Sequence, residues 1–347
     1  MKASLYREFV SLERPVRASA QLHADRSRLF LRIEEDGVGF GEVAPQPIEL
    51  FGDPGVDEVI EATREVLSRV VEFQAREGVL PSWSMVSSLA GDTSERRAAG
   101  ALIEMALLDR ELRRNVMSIG EFWLPRAHTP RQSTVSALDD REWVYHSLDS
   151  RLRVKTSSGE VSERALEQLS ALRVPVLLDF NCSARSIDEV LKQVDVIGEV
   201  ATIDAVEQPF GIGNVADHAR LAARLDVALC LDESVRSIRD LTRIVRYEAA
   251  SMICVKPARV GGLANARSII SRGQQLGFRV YVGGFFESPY ARRVLRALAY
   301  GCDVTEPSDL GVVALEDASG EISSVTASFG VEPAASMLDA AEALTLR

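Results

Sequence analysis

Short apolar runs of strand length recur along the chain from about residue 130 onward, and many of them end on a charged residue. The runs are LRVK at 152–155, VPVLLD at 174–179, IDAVE at 203–207, VALCLD at 227–232 and MICVK at 252–256. Between them lie stretches whose apolar residues return at helical spacing, such as SIDEVLKQVDVIG at 186–198, NVADHARLAARL at 214–225 and LANARSIISRGQQLG at 263–277. The pattern predicts strands at about 133–138, 151–155, 174–179, 202–207, 227–232, 251–256, 278–283 and 301–305, alternating with helices. Gly277 stands where the last of those helices must stop. Eight strands in such alternation point to a closed parallel (β/α) barrel, with an open doubly wound sheet as the alternative.

The first part of the chain follows a different period. LFLRI at 29–33 and VGFGEV at 38–43 flank Asp36-Gly37, a hairpin signal. Helical spacing then runs from Val56 to about Ala75 and from Glu95 to Arg114. The reading is an α+β unit over residues 1–122, ahead of a barrel unit over 123–320. Gly37, Gly39 and Gly41 do not make a phosphate loop, because a nucleotide fingerprint opens a helix and this run continues as a strand.

With 46% apolar residues, a chain of 347 residues can bury a core of that size. The net charge of −11, with no basic run interleaved with aromatics, disfavours a nucleic-acid partner. The opening MKASLYREFVSLERP is charged throughout, and the most apolar helical run, 98–108, is short and contains Glu104. No membrane partner is therefore expected, and a cytoplasmic protein is. Cys182, Cys230, Cys254 and Cys302 lack metal-site spacing and read as buried reduced thiols. None of His23, His128, His146 and His218 closes a strand, so no histidine is expected to serve as the base.

The charged strand ends carry the candidate chemistry. From Lys155 to Lys256 the intervals through Asp179, Glu207 and Asp232 are 24, 28, 25 and 24 residues, the length of one strand-helix unit. In a parallel barrel such positions converge on one face. A single acid after a strand is usually a cap or a solvated turn residue. Five potent side chains at one register instead suggest three oxygen-donor carboxylates for a divalent metal, between two amines able to carry protons.

These residues resemble the enolase superfamily, in its muconate-lactonizing-enzyme-like branch. The matching segments are GFGEVAP (39–45), EMALLD (104–109), RVK (153–155), LDFN (178–181), EQP (207–209), LDES (231–234), VKPARVGG (255–262), VGGFFES (282–288) and FGVE (329–332). The resemblance implies a modified TIM-type (β/α) barrel with an α+β capping domain, the latter completed by about 321–347. It implies Mg²⁺, with Mn²⁺ as a substitute, on Asp179, Glu207 and Asp232, and Lys155 and Lys256 as acid and base on opposite faces of a small carboxylate substrate. Arg153 stands where the family more often has lysine and is expected to tune Lys155. Asn181 and Glu233 are expected to orient the lysines and ligands, and Gly283 and Gly284 to let backbone approach a ligand. Arg259 reads as a surface arginine, with a part beside Gly261 and Gly262 in favouring an anionic substrate near the sixth strand as the alternative, and Glu287 has no assigned role. The pattern is most like that of o-succinylbenzoate synthases, dehydratases of menaquinone biosynthesis. Racemases of N-acylamino acids or epimerases of dipeptides come second, and muconate cycloisomerases third. A barrel that only binds is the non-enzymatic alternative, disfavoured because all five site residues are present. Specificity is expected within Pro15–Asp25 and Pro45–Val56.

Overall fold

The computed structural model describes residues 1–18, 21–123, 132–137, 149–156, 159–310 and 342–344, with side chains left out at 12–24, 132–137, 149 and 342–344. His128, His146 and the FGVE segment lie outside the described residues, as does the side chain of His23.

An antiparallel sheet opens the chain. Strands β1 (Lys2–Ala18), β2 (Gln21–Glu34) and β3 (Val38–Val43) pair in sequence order. The expected hairpin turns at Asp36 and Gly37, both at positive φ. Leu29, Leu31 and Ile33 of β2 alternate inward onto helices α1 (Val56–Glu77), α2 (Val86–Ala90) and α3 (Ser94–Arg114). A Cβ at Gly39 or Gly41 would collide with the carbonyl of Ala106 or Leu102, so these glycines let α3 lie directly against β3. Strand β11 (Glu342–Leu344) adds to the outer side of β1.

After α4 (Ile119–Trp123) the chain builds a parallel sheet of seven strands in strict sequence order. These are β4 (Gln132–Ala137), β5 (Asp149–Lys155), β6 (Val176–Asp179), β7 (Ile203–Glu207), β8 (Ala228–Leu231), β9 (Met252–Val255) and β10 (Arg279–Val282). The accompanying helices are α5 (Glu163–Ser170), α6 (Ile187–Gly198), α7 (Val215–Ala222), α8 (Ile238–Tyr247), α9 (Pro257–Val260), α10 (Leu263–Gln275) and α11 (Pro289–Gly301). A doubly wound sheet would reverse its strand order at a switch point, and this one does not. The fold is a modified (β/α) barrel with an α+β cap. Alternation divides its core. Leu177, Ala205, Cys230, Met252, Cys254 and Tyr281 fill the interior, while Leu152, Val154, Leu178 and Val206 belong to a separate apolar layer shared with the surrounding helices.

The eighth strand expected at 301–305 is absent. Helix α11 runs to Gly301, Asp303 takes a left-handed φ, and Pro307 has no N–H to give a ladder. The segment still docks beside β10, where Val282 N donates to Ser308 Oγ (3.1 Å) and Asp309 N donates to Val282 O (3.0 Å).

Candidate active site

Strand register sets the geometry. Lys155, Asp179 and Glu207 are direct neighbours across β5, β6 and β7, while Asp232 and Lys256 follow the last residues of β8 and β9. The five predicted side chains thus gather at the C-terminal strand ends. Four of them are buried, and Lys155 is partly so.

Arg153, one pleat below Lys155, sits among the acids. Its Nη2 lies 2.8 Å from Asp179 Oδ2 and 3.5 Å from Asp232 Oδ2, and the guanidinium grips both oxygens of Glu207. Burial disfavours the charged forms, but Arg153 and Lys155 beside Asp179 hold its carboxyl below the usual range. Asp232 is held well below it, against burial, by Arg259, Lys256 and Arg153. Burial wins at Glu207 and pushes it up to about 7. Arg153 is therefore the counter-charge of the three carboxylates, rather than a neighbour acting on Lys155 alone.

Lys155 Nζ donates to Asn181 Oδ1 (2.7 Å) and to Asp179 Oδ2 (3.2 Å). Asn181, at φ 42°, donates its Nδ2 to Glu233 Oε1 (3.2 Å), so Glu233 and Asn181 form a line that aims Lys155. Burial and the adjacent Asp232 push Glu233 up to about 8. Lys256 Nζ donates to Asp232 Oδ2 (2.8 Å) and lies 4.8 Å from the centre of the Phe285 ring. Burial opposes its charge, yet Asp232 raises its pKa above the ordinary lysine value. Gly283 serves this lysine, since a Cβ there would meet Lys256 Cε at 3.0 Å and Cys254 Sγ at 2.5 Å. Gly284 faces the cavity.

Arg259 is not a surface residue. It is 4% exposed, forks onto Asp53 (Nε–Oδ1 2.8 Å, Nη2–Oδ2 2.6 Å) and also binds Asp232. Asp53, on the cap loop, also takes Arg236 Nη2 at 3.2 Å. Tyr281 was invisible to sequence reasoning as a site residue. Its hydroxyl donates to Glu207 Oε2 (2.8 Å), and the only sign was a phenol in an apolar strand two residues before Gly283. Glu287 accepts from Phe285 N (2.7 Å) and pairs with Arg292 (3.3 Å), bracing the loop after β10. His218 is a structural residue: its Nε2 accepts from Phe210 N (3.3 Å), and burial depresses its pKa to about 4. Cys230 and Cys254 are buried as expected, while Cys182 and Cys302 are half-buried.

A cavity of about 240 Å³ opens above this cluster. Barrel residues Lys155, Lys256 and Phe285 and cap residues Arg26, Phe51 and Asp53 are among those lining it. The donor chemistry suits a hard divalent cation, which would take over from Arg153 the role of counter-charge to the three acids. Glu207, Asp232 and Cys254 bring ligand atoms within 4.8 Å of one another, and Asp179 joins the two acids through Arg153. Burial raises the Cys254 thiol well above its ordinary value, and a hard cation prefers the carboxylate oxygens to its sulfur.

The family described as enolase C-terminal domain-like matches residues 150–307. An N-succinylamino acid racemase of Amycolatopsis is 30% identical over 317 residues, covering 88% of this chain and 84% of the relative. The chain belongs to the enolase superfamily. An o-succinylbenzoate synthase of Bacillus subtilis is 27% identical to this superfamily member over 324 residues, 89% of this chain and 84% of its own. Among solved structures, an enolase superfamily member from Listeria innocua superposes with TM-score 0.81 at 20% identity, covering 99% and 98% of the two chains. A dipeptide epimerase from Cytophaga hutchinsonii, complexed with Mg and the dipeptide D-Ala-L-Val, does so with TM-score 0.72 at 17% identity over 88% and 85%. Among the described residues, no helix of this superfamily member is long and apolar enough to cross a membrane.

Proposed function

We propose that this chain is a Mg²⁺-dependent enzyme that removes the proton α to a carboxylate, and that its reaction is the dehydration catalysed by o-succinylbenzoate synthases. The observation that carries the proposal is the pair of lysines, Lys155 and Lys256, lining one cavity over three buried carboxylates. Mg²⁺, or Mn²⁺ in its place, held by Asp179, Glu207 and Asp232 would supply the positive charge that lets a carboxylate substrate become an enediolate dianion. Lys155 takes the α-proton, its amine aimed by Asn181 and Glu233. The same lysine, now an ammonium, returns that proton to the departing hydroxyl, which leaves as water. Lys256 stays charged beside the enediolate, consistent with its bond to Asp232. Residues 1–122 with about 321–347 act as the cap that selects substrate, and 123–320 as the barrel that carries the chemistry. We assign the reaction to the cytoplasm, where reduced thiols such as Cys230 and Cys254 persist.

A second reading has its own support. Two lysines on one cavity also suit proton transfer on both faces of an α-carbon, as a racemase of N-succinylamino acids or a dipeptide epimerase requires. Purified protein with Mg²⁺ should convert the menaquinone precursor to o-succinylbenzoate faster than it racemises any of a panel of N-succinylamino acids and dipeptides. Racemisation without dehydration would select the second reading.

A further inference from the structure

Each lysine and arginine lining the cavity but one faces a carboxylate. Arg153 and Lys155 meet Asp179, Lys256 and Arg259 meet Asp232, and Arg292 meets Glu287 and Asp309. Arg26, on cap strand β2, is the exception among the described residues. It is 4% exposed, yet among the described residues its one hydrogen bond runs from Nη1 to the carbonyl of the adjacent Asp25 (3.0 Å), and its buried Nε finds no partner there. A guanidinium taken out of water without an anion is costly. Burial lowers its pKa to about 10, although the charge of the adjacent Asp25, which makes no ion pair with it, acts to raise it.

Its position is built. The guanidinium lies 4.2 Å from the centre of the Phe286 ring, and Arg28, two residues along the same strand face, donates to the Phe286 carbonyl at 2.8 Å while pairing with Glu8. The barrel loop that carries Phe285 beside Lys256 thus also carries the ring beneath Arg26.

We propose that Arg26 is the residue that binds the distal carboxylate of the substrate, at the cap end of the cavity. The assignment rests on the proposed reaction for the identity of the first carboxylate, the one beside the reacting carbon. Arg26 touches the part of the substrate that does not react, and its planar fork with a free Nε–H suits a carboxylate held by two hydrogen bonds.

A matched ligand pair tests this. N-succinylphenylalanine and N-acetylphenylalanine share the α-carboxylate and differ in the distal one. Calorimetric binding in Mg²⁺ buffer should give the wild type at least about a tenfold preference for the succinyl compound, the scale of a charged hydrogen bond. In Arg26→Met, and in Arg26→Gln should the Met variant fail to fold, the ratio should fall to about one. A wild type without the preference, or binding neither ligand, overturns the assignment, as does a neutral variant that keeps it. Exchange of the α-hydrogen in D₂O is read separately. Its absence with every substrate counts against the proposed reaction while the binding ratio still decides the role of Arg26.

Discussion

At the scale of single residues, charge pairing sets the two lysines apart. Lys155 is held by a neutral amide oxygen and one carboxylate, whereas Lys256 is locked to Asp232, which favours its charged form. Lys155→Ala should therefore lower kcat for dehydration by about 10²- to 10⁴-fold, the usual weight of a general acid or base. Lys256→Ala should cost less, because it removes charge stabilisation and no obligatory proton transfer. Steady-state kinetics of both variants check the order, and equal losses would favour two-sided chemistry. The acids and lysines were legible because each ends an apolar run at one register. Arg259 was misread because its meaning lies in Asp53, 206 residues away, and no local pattern joins the two. Arg26 and Tyr281 were silent for the same reason, since each is defined by partners on other strands or loops.

At the scale of elements, α10 starts on a residue borrowed from the cap. Gly262 precedes it at φ 123°, and Glu104 of α3 accepts from Ala264 N at 2.8 Å while its Oε2 is buried with no partner among the described residues. Burial pushes Glu104 up to about 8, against backbone hydrogen bonds that lower it. Because the folded form keeps a proton that the unfolded chain releases near pH 4.5, stability from this group is full below that pH. It is lost as pH rises towards 8. Glu104→Gln should flatten this slope by an amount on the order of a few kcal/mol, read from urea midpoints at pH 5 and pH 8. An unchanged slope would mean that Glu104 is ionised when folded. Periodicity found the hairpin, the long helices and seven strands of the barrel. It failed at 301–305, where a helix end, a left-handed residue and Pro307 leave no room for a ladder.

At the scale of the molecule, cap and barrel meet through buried polar contacts that no hydrophobic pattern encodes. Glu42 accepts from Ser288 N (2.6 Å), Tyr290 donates to Phe40 O (2.6 Å), and Arg236 donates to Gly52 O and Phe51 O (both 2.8 Å). Asp53 is the most exposed to disruption, since it answers two arginines at once. Asp53→Ala should destabilise by about 1–3 kcal/mol, the weight of charged hydrogen bonds lost while Arg259 keeps Asp232. It should also raise KM, because the loop it holds lines the cavity. Thermal unfolding and substrate titration check the two effects, and a variant of wild-type stability would show that the arginines find other anions.

The central claim is that this barrel removes an α-proton with a lysine and a divalent metal. Its most direct test is α-hydrogen exchange in D₂O, followed by NMR, on chelator-treated protein, on the same protein restored with Mg²⁺, and on Lys155→Ala with Mg²⁺. The account predicts exchange of the reacting substrate only in the restored wild type. Full exchange in the chelated protein, or in the variant without Lys155, would contradict it.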